Sequence, residues 1–152
     1  GPGPWVLYLG GFGEVLPQRD NRIYLHPTRK DRFGIPLVAF DFRYGANEEA
    51  MRSDTLREAT SMLQLAGAVG VQTFVNDKPG TSIHEMGTAR MGDDPRNSFL
   101  NKWNQSHEVP NLFVTDGACM PSASCVNPSL TFMALTARAA DYAVQQLRSG
   151  QL

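Results

Sequence analysis

Two side chains of this chain have types suited to proton and oxygen chemistry, and each stands in a short motif of its own. His84 lies in Ser82-Ile83-His84-Glu85-Met86-Gly87-Thr88-Ala89-Arg90-Met91-Gly92, and Asn127 opens Asn127-Pro128-Ser129-Leu130-Thr131. An imidazole titrates near ~6.5, so His84 can take a hydroxyl proton near neutral pH if the two groups come within hydrogen-bond reach. The Asn127 amide does not titrate, but it can hydrogen-bond an oxygen and hold a reacting group in place. Each residue also has an ordinary alternative. His84 fits an exposed loop imidazole or one tied to backbone, and Asn127 fits a helix N-cap with Pro128 at the first helical position. If Asn127 faces a substrate instead, it gives up that cap, a local conflict of the kind found at functional sites.

Other chemistries find less support. Gly11-Phe12-Gly13-Glu14-Val15-Leu16 begins like a dinucleotide fingerprint, but Leu16 stands where the third glycine belongs and Pro17 follows. His84-Glu85 opens like a zinc-protease motif, yet Thr88 occupies the place of the second histidine. Asp93-Asp94 reads as a turn rather than a metal site, and His26 and His107 as surface groups. Arg90 is a minor candidate for positioning a neighbour of the site. Cys119 and Cys125 are the two cysteines; they are too few for a disulfide framework or a four-cysteine zinc site. Their separation permits a local bridge only if the loop brings the Cβ atoms close, and they read rather as two small semi-buried residues near the site.

The elements that must position these groups follow from patterning. Residues 5–9, 22–25 and 37–44 read as strands of an antiparallel meander, with Val38, Phe40, Phe42 and Tyr44 on the apolar side of the third. The polar residues 27–36 connect the last two strands. Helical spacing runs from Asn47, a candidate N-cap, to about Ala66, through Met51, Thr55, Ala59, Met62 and Leu63, with Gly67 or Gly70 closing the end. Residues 71–75 alternate like a strand. From Pro79-Gly80 to Leu112 the chain is mostly loop, and Leu112-Phe113-Val114-Thr115-Asp116-Gly117 reads as a short buried strand ending in a turn. A last helix runs from Pro128 to about Leu147, with an apolar stripe of Leu130, Met133, Ala137, Ala140, Val144 and Leu147.

The 152 residues contain 41% hydrophobic and 19% charged side chains, a globular balance. Lysine and arginine number 14 against 15 acidic residues, and no basic stripe suits a nucleic-acid partner. No apolar stretch approaches the ~18 residues of a transmembrane helix, and Gly1-Pro2-Gly3-Pro4 has no positive region or long apolar core of a secretory leader.

Taken in order, the His-x-x-Gly-Thr string at His84, the strand ending in Asp116-Gly117, and Asn127-Pro128-Ser129-Leu130-Thr131 before an amphipathic helix resemble the C-terminal part of glucose–methanol–choline (GMC) flavoprotein oxidoreductases. The resemblance extends through Ala134-Leu135-Thr136-Ala137-Arg138-Ala139-Ala140, and back to Gly11-Phe12-Gly13-Glu14, Leu16-Pro17, Gly34-Ile35-Pro36 and Asn47-Glu48. It is stronger toward the sugar- and polyol-oxidising branch, including gluconate-dehydrogenase-like flavoproteins. Asn127 stands where some relatives carry a second histidine.

The resemblance implies an FAD-dependent oxidoreductase that oxidises CH–OH groups of an alcohol, sugar or sugar acid by hydride transfer to flavin. His84 is then the proton acceptor and Asn127 its catalytic partner. Asp116 and Gly117 touch the ribityl or pyrophosphate part of FAD, while Asn127, Pro128, Ser129 and Leu130 approach its ring system. The expected fold is α+β: residues 1–79 form part of a substrate domain with an antiparallel sheet and long helix, and residues 80–152 supply the closing strand and helix of an α/β FAD-binding domain. The implied partners are the alcohol or sugar substrate and an N-terminal FAD-binding half, in the same or a separate chain. Two rival readings stay open: a non-catalytic fragment or split subunit that binds FAD only with that half, and a pseudo-enzyme serving as a binding module.

Overall fold

The computed structural model describes residues 3–75, 78, 80–81 and 83–152. Gly1, Pro2, Asn76, Asp77, Pro79 and Ser82 lie outside the described residues, so the first residue of the His84 motif and part of the expected domain division do too. The elements are strand β1 (Arg22–Lys30), strand β2 (Pro36–Asp41), helix α1 (Ala46–Leu65), a 3-10 turn at Gly117–Cys119, and helix α2 (Ser129–Arg148). This is a small α+β arrangement. Among the described residues, no helix is long and apolar enough to cross a membrane.

β1 and β2 pair antiparallel, with Arg22 opposite Asp41, Ile23 opposite Phe40 and Leu25 opposite Val38. The expected connection at 27–36 is shorter than its composition suggested, because β1 continues to Lys30. Asp31 makes the reversal: its Oδ1 accepts the backbone N–H groups of Phe33 at 2.8 Å and Ile35 at 2.9 Å. Gly34 supplies the left-handed residue, with φ +84. Residues 5–9 and 71–75, expected as strands, have no ladder partner and are not strands. Their β-branched and aromatic residues supply propensity, but a strand also needs a neighbouring edge to satisfy its backbone. Trp5 and Tyr8 accordingly stand almost fully exposed. Val38 and Phe40, expected on a buried face, point outward beside Ile23 and Leu25, while Leu37 and Ala39 are half-buried.

α1 is capped by Gly45 rather than Asn47. Glu48 explains the shift: its carboxylate accepts the Gly45 N–H at 2.7 Å and the Leu16 N–H at 3.0 Å, and so ties the segment before β1 to the helix start. Glu48 is 2% exposed. The Leu16 amide, more than any other group, holds its carboxyl below the usual carboxylate range against the opposing effect of burial. Ahead of that tie the chain lies flat along α1 in the reverse direction. A Cβ on Gly11 would stand 2.1 Å from the Thr55 side chain, and one on Gly13 would stand 2.4 Å from Met51. At its other end the helix closes at Ala66, followed by Gly67 with φ +83.

The core sits where the sequence suggested loop. Leu100 and Cys119 are fully buried and Ala139 nearly so, joined by the polar residues Asn104 and Ser106. Single bridges from Met91 to Leu100, Leu100 to Ser106 and Gln105 to Phe113 hold this region together without a named strand. The expected strand at 112–117 is thus a short extended run, bonded through Val114 N–H to Asn104 O at 3.0 Å. α2 docks onto it through Tyr142, whose ring stacks on Trp103 at 4.9 Å. The expected stripe faces the other way: Leu130, Met133, Val144 and Leu147 are exposed, whereas Phe132, Leu135, Ala139 and Tyr142 turn inward. Both faces of α2 carry apolar side chains, so periodicity alone could not decide which one this chain buries.

Candidate active site

His84 and Asn127 meet. Nε2 of the imidazole donates to Oδ1 of Asn127 at 2.9 Å, across 43 positions of sequence. The two arms that carry them are stitched together by backbone: Ala89 N–H donates to Ala118 O at 3.1 Å, and Met91 N–H to Cys119 O at 2.9 Å. Gly87 lets the His84 arm turn in beside the other arm. It takes φ +86, and a Cβ there would press on Pro121 O at 3.3 Å. Met86 fills the space over Gly117, where a Cβ would lie 2.7 Å from its sulfur. His84 is half-buried and Asn127 exposed, so the pair opens to solvent.

Asn127 does not cap the helix that follows it. Pro128 is the N-cap residue of α2, and among the described residues no side chain bonds the first turn. The leading N–H groups therefore remain open, with Ser129 and Leu130 exposed beside them. This arrangement of free donors at a positive dipole end suits a carbonyl or anionic group of a bound cofactor. Pro128 itself is buried. Asp116 is exposed and uses one carboxylate oxygen to accept Ala118 N–H at 3.0 Å, which forms the 3-10 turn. Its second oxygen has no hydrogen-bond partner among the described residues. His84, Asn127 and residues 128–130 thus form one cluster, with Asp116-Gly117 held to the His84 arm at the Met86 contact.

The two cysteines are unpaired. Burial pushes the Cys119 thiol up, the Asn104 side chain opposing, while Cys125 is exposed. Neither environment builds a reactive thiolate pair. His107 corrects its assignment as a surface group. It is half-buried, its Nε2 donates to Gly92 O at 3.1 Å, and Ser98 Oγ lies 3.1 Å from the same nitrogen. Ser98 spends its own proton on Asp94 O at 2.8 Å, so the protons run the wrong way for a serine nucleophile. This serine and histidine, with Thr88 and Arg90, line a shallow cavity of about 240 Å³. Asp94 makes a turn, as its spacing suggested, with its carboxyl held below the usual range by the Arg96 guanidinium.

Asn104 was not singled out by sequence. It takes a left-handed backbone (φ 62), is fully buried, and donates its amide to Val114 O at 3.0 Å. An asparagine in a loop is a faint signal for such a position, because Asn is enriched at positive φ among non-glycine residues.

Residues 17–136 match the GMC oxidoreductase family. The chain is 38% identical over 131 residues to 2-methyl-1,2-propanediol dehydrogenase of Mycolicibacterium austroafricanum, covering 86% of this chain and 24% of that protein. It is 35% identical over 139 residues to the fructose dehydrogenase large subunit of Gluconobacter japonicus, covering 90% and 25%. It is 31% identical over 137 residues to the gluconate 2-dehydrogenase flavoprotein of Pantoea cypripedii, covering 86% and 22%. The chain spans about a quarter of the length of these curated relatives. With the family match running from the segment before β1 into α2 and through both arms of the His84–Asn127 contact, this chain belongs to the GMC oxidoreductase family, as its C-terminal part.

Proposed function

We propose that this chain is the catalytic C-terminal portion of an FAD-dependent oxidoreductase of the sugar- and polyol-oxidising branch, acting on CH–OH groups of an alcohol, sugar or sugar acid. The observation that carries this reading is the 2.9 Å contact of His84 Nε2 with Asn127 Oδ1, made beside the open N-terminus of α2. Asp116, Gly117, Asn127, Pro128, Ser129 and Leu130 are the residues that would hold the cofactor, Ser129 and Leu130 through the N–H donors of the α2 terminus. When bound, the flavin supplies the acceptor for the carbinol hydride.

The chain's own residues handle the proton. As they stand, His84 and Asn127 satisfy each other, and Nε2 is occupied as a donor. A substrate hydroxyl must displace Oδ1 and donate to Nε2, which requires the neutral imidazole to change tautomer so that its one proton sits on Nδ1 and Nε2 is free to accept. Nε2 then accepts the hydroxyl proton as the C–H bond breaks. The Asn127 NH₂ group donates to the same oxygen and fixes its direction. Asn127 is free to do so because it is released from helix capping.

In this reading residues 1–79 belong to the substrate-binding domain and 80–152 to the flavin domain. An N-terminal half, in the same or a separate chain, supplies the phosphate-binding fingerprint that Leu16 and Pro17 interrupt. The outward apolar faces of the β1–β2 hairpin and of α2 support a requirement for such a partner. The test is an FAD titration of the protein, followed by flavin fluorescence and absorbance, with and without the upstream half. Saturable binding in either format, followed by turnover of sugars or polyols, supports the proposal. Binding only with the added half identifies a fragment dependent on it. Absence of binding in both formats rejects the flavoenzyme and favours the binding module.

A further inference from the structure

We propose that Glu14 is a positioning residue for the His84–Asn127 pair, acting through Ser122. The Ser122 hydroxyl donates to Glu14 Oε1 across 108 positions of sequence. Both residues are half-buried. Ser122 sits in the connection that leaves the 3-10 turn and ends at Asn127, so its anchor bears on where the Asn127 amide points.

Glu14 is held firmly enough to serve as that anchor. On one side of it, Gly11 and Gly13 lie against Thr55 and Met51, so closely that a Cβ at either position would collide with them. On the other side, Leu16 N–H donates to the buried Glu48 carboxylate. The contacts descend α1 from Thr55 to Met51 to Glu48 as the segment ascends, which makes the helix a rail for residues 11–16. Glu14 projects from this rail to the opposite half of the molecule. There the 120–127 connection already lies close to Gly87 of the His84 arm, where a Cβ would stand 3.3 Å from Pro121 O. The connection is thereby held from two sides, by the His84 arm and by Glu14. The rail is built from residues before β1 and from α1, so this region contributes to the site without placing a side chain in it.

The kinetic part of the test rests on the proposed alcohol oxidation; the spectroscopic part does not. Glu14→Ala and Ser122→Ala each remove the bond, while Glu14→Gln keeps an acceptor oxygen for the Ser122 hydroxyl. In the purified protein, the two alanine variants are expected to shift the His84 imidazole ¹⁵N resonances and accelerate amide exchange over 120–127. In the flavin-loaded enzyme they lower kcat/KM on the order of 10²-fold. Glu14→Gln stays close to the unmodified protein in both measurements, and the double alanine variant is no worse than either single one.

The role is overturned if both alanine variants leave the His84 resonances unmoved, whatever happens to Tm. It is equally overturned if Glu14→Gln matches Glu14→Ala. Should Glu14→Ala fail to fold, Ser122→Ala, which removes one hydroxyl, carries the same decision. An unmodified protein that turns over no alcohol even with FAD and the upstream half supplied, but whose His84 signals shift in the variants, loses the flavoenzyme reading and keeps the positioning role. Normal turnover with unmoved signals does the reverse.

Discussion

The two halves of the molecule solve the problem of order differently. In residues 3–75 the regular elements are long, a hairpin and a helix, yet among the described residues there Glu48 alone is buried. From residue 83 onward there is little regular structure before α2, yet Leu100, Asn104, Ser106, Cys119 and Ala139 are all buried. Regular hydrogen bonding and a dry core are therefore separate achievements. The first half satisfies its backbone locally and leaves its apolar faces open. The second buries side chains by tying loops to one another, and the tie runs through a polar residue, Asn104, as much as through Leu100. The His84–Asn127 pair belongs to the second half, where rigidity comes from tertiary contact.

The strongest way to break this contrast is at the site. His84→Ala is expected to lower kcat/KM by about 10²–10⁴-fold while flavin absorbance is retained, measured by steady-state turnover beside a flavin titration. Loss of flavin together with activity would make His84 structural. Next comes the core: Leu100→Ala should cost about 2–5 kcal/mol in denaturant unfolding, whereas Ile23→Ala on the open hairpin face should cost well below that. Equal losses would erase the distinction between the halves. Asn104→Ala is expected to cost about 2–3 kcal/mol, from an orphaned Val114 carbonyl and a left-handed backbone. Asn104→Gly should recover the backbone share alone.

Glu48 sharpens the comparison through pH. Its carboxyl is held below the ordinary value of 4.5, so its contribution is complete above that value and is lost as pH falls through its own lower pKa. Glu48→Gln should cost about 1–3 kcal/mol near neutrality and flatten that acid limb in a series of unfolding curves. The smallest effect is expected at the Arg43–Asp20 ion pair, exposed on both sides. Asp20→Asn should change stability by at most about 0.5 kcal/mol by thermal unfolding.

Both long helices were legible because amphipathic spacing is a local property. The hairpin was legible in its pairing but not in its faces. Val38 and Phe40 look like core to any periodicity argument, and whether an apolar face is covered depends on what else the chain brings to it. The same holds for α2, where the stripe from Leu130 to Leu147 is open and the Tyr142 side is buried. Residues 5–9 show the converse error, propensity without an edge to pair with. The core of the second half escaped notice because its bridges are isolated and its hub is an asparagine. The histidine and asparagine were legible by type and motif, while the bond between them was not.

By itself, then, the sequence determined the chemical types at the site, the helical segments, and the turn residues, all of which depend on side-chain identity and nearest neighbours. Only the tertiary structure decided that Asn127 leaves α2 uncapped to meet His84, that Ser122 reaches Glu14, and that the apolar stripe of α2 faces out. These contacts join groups tens of residues apart, and closing such loops depends on the summed packing of the whole chain rather than on any local preference.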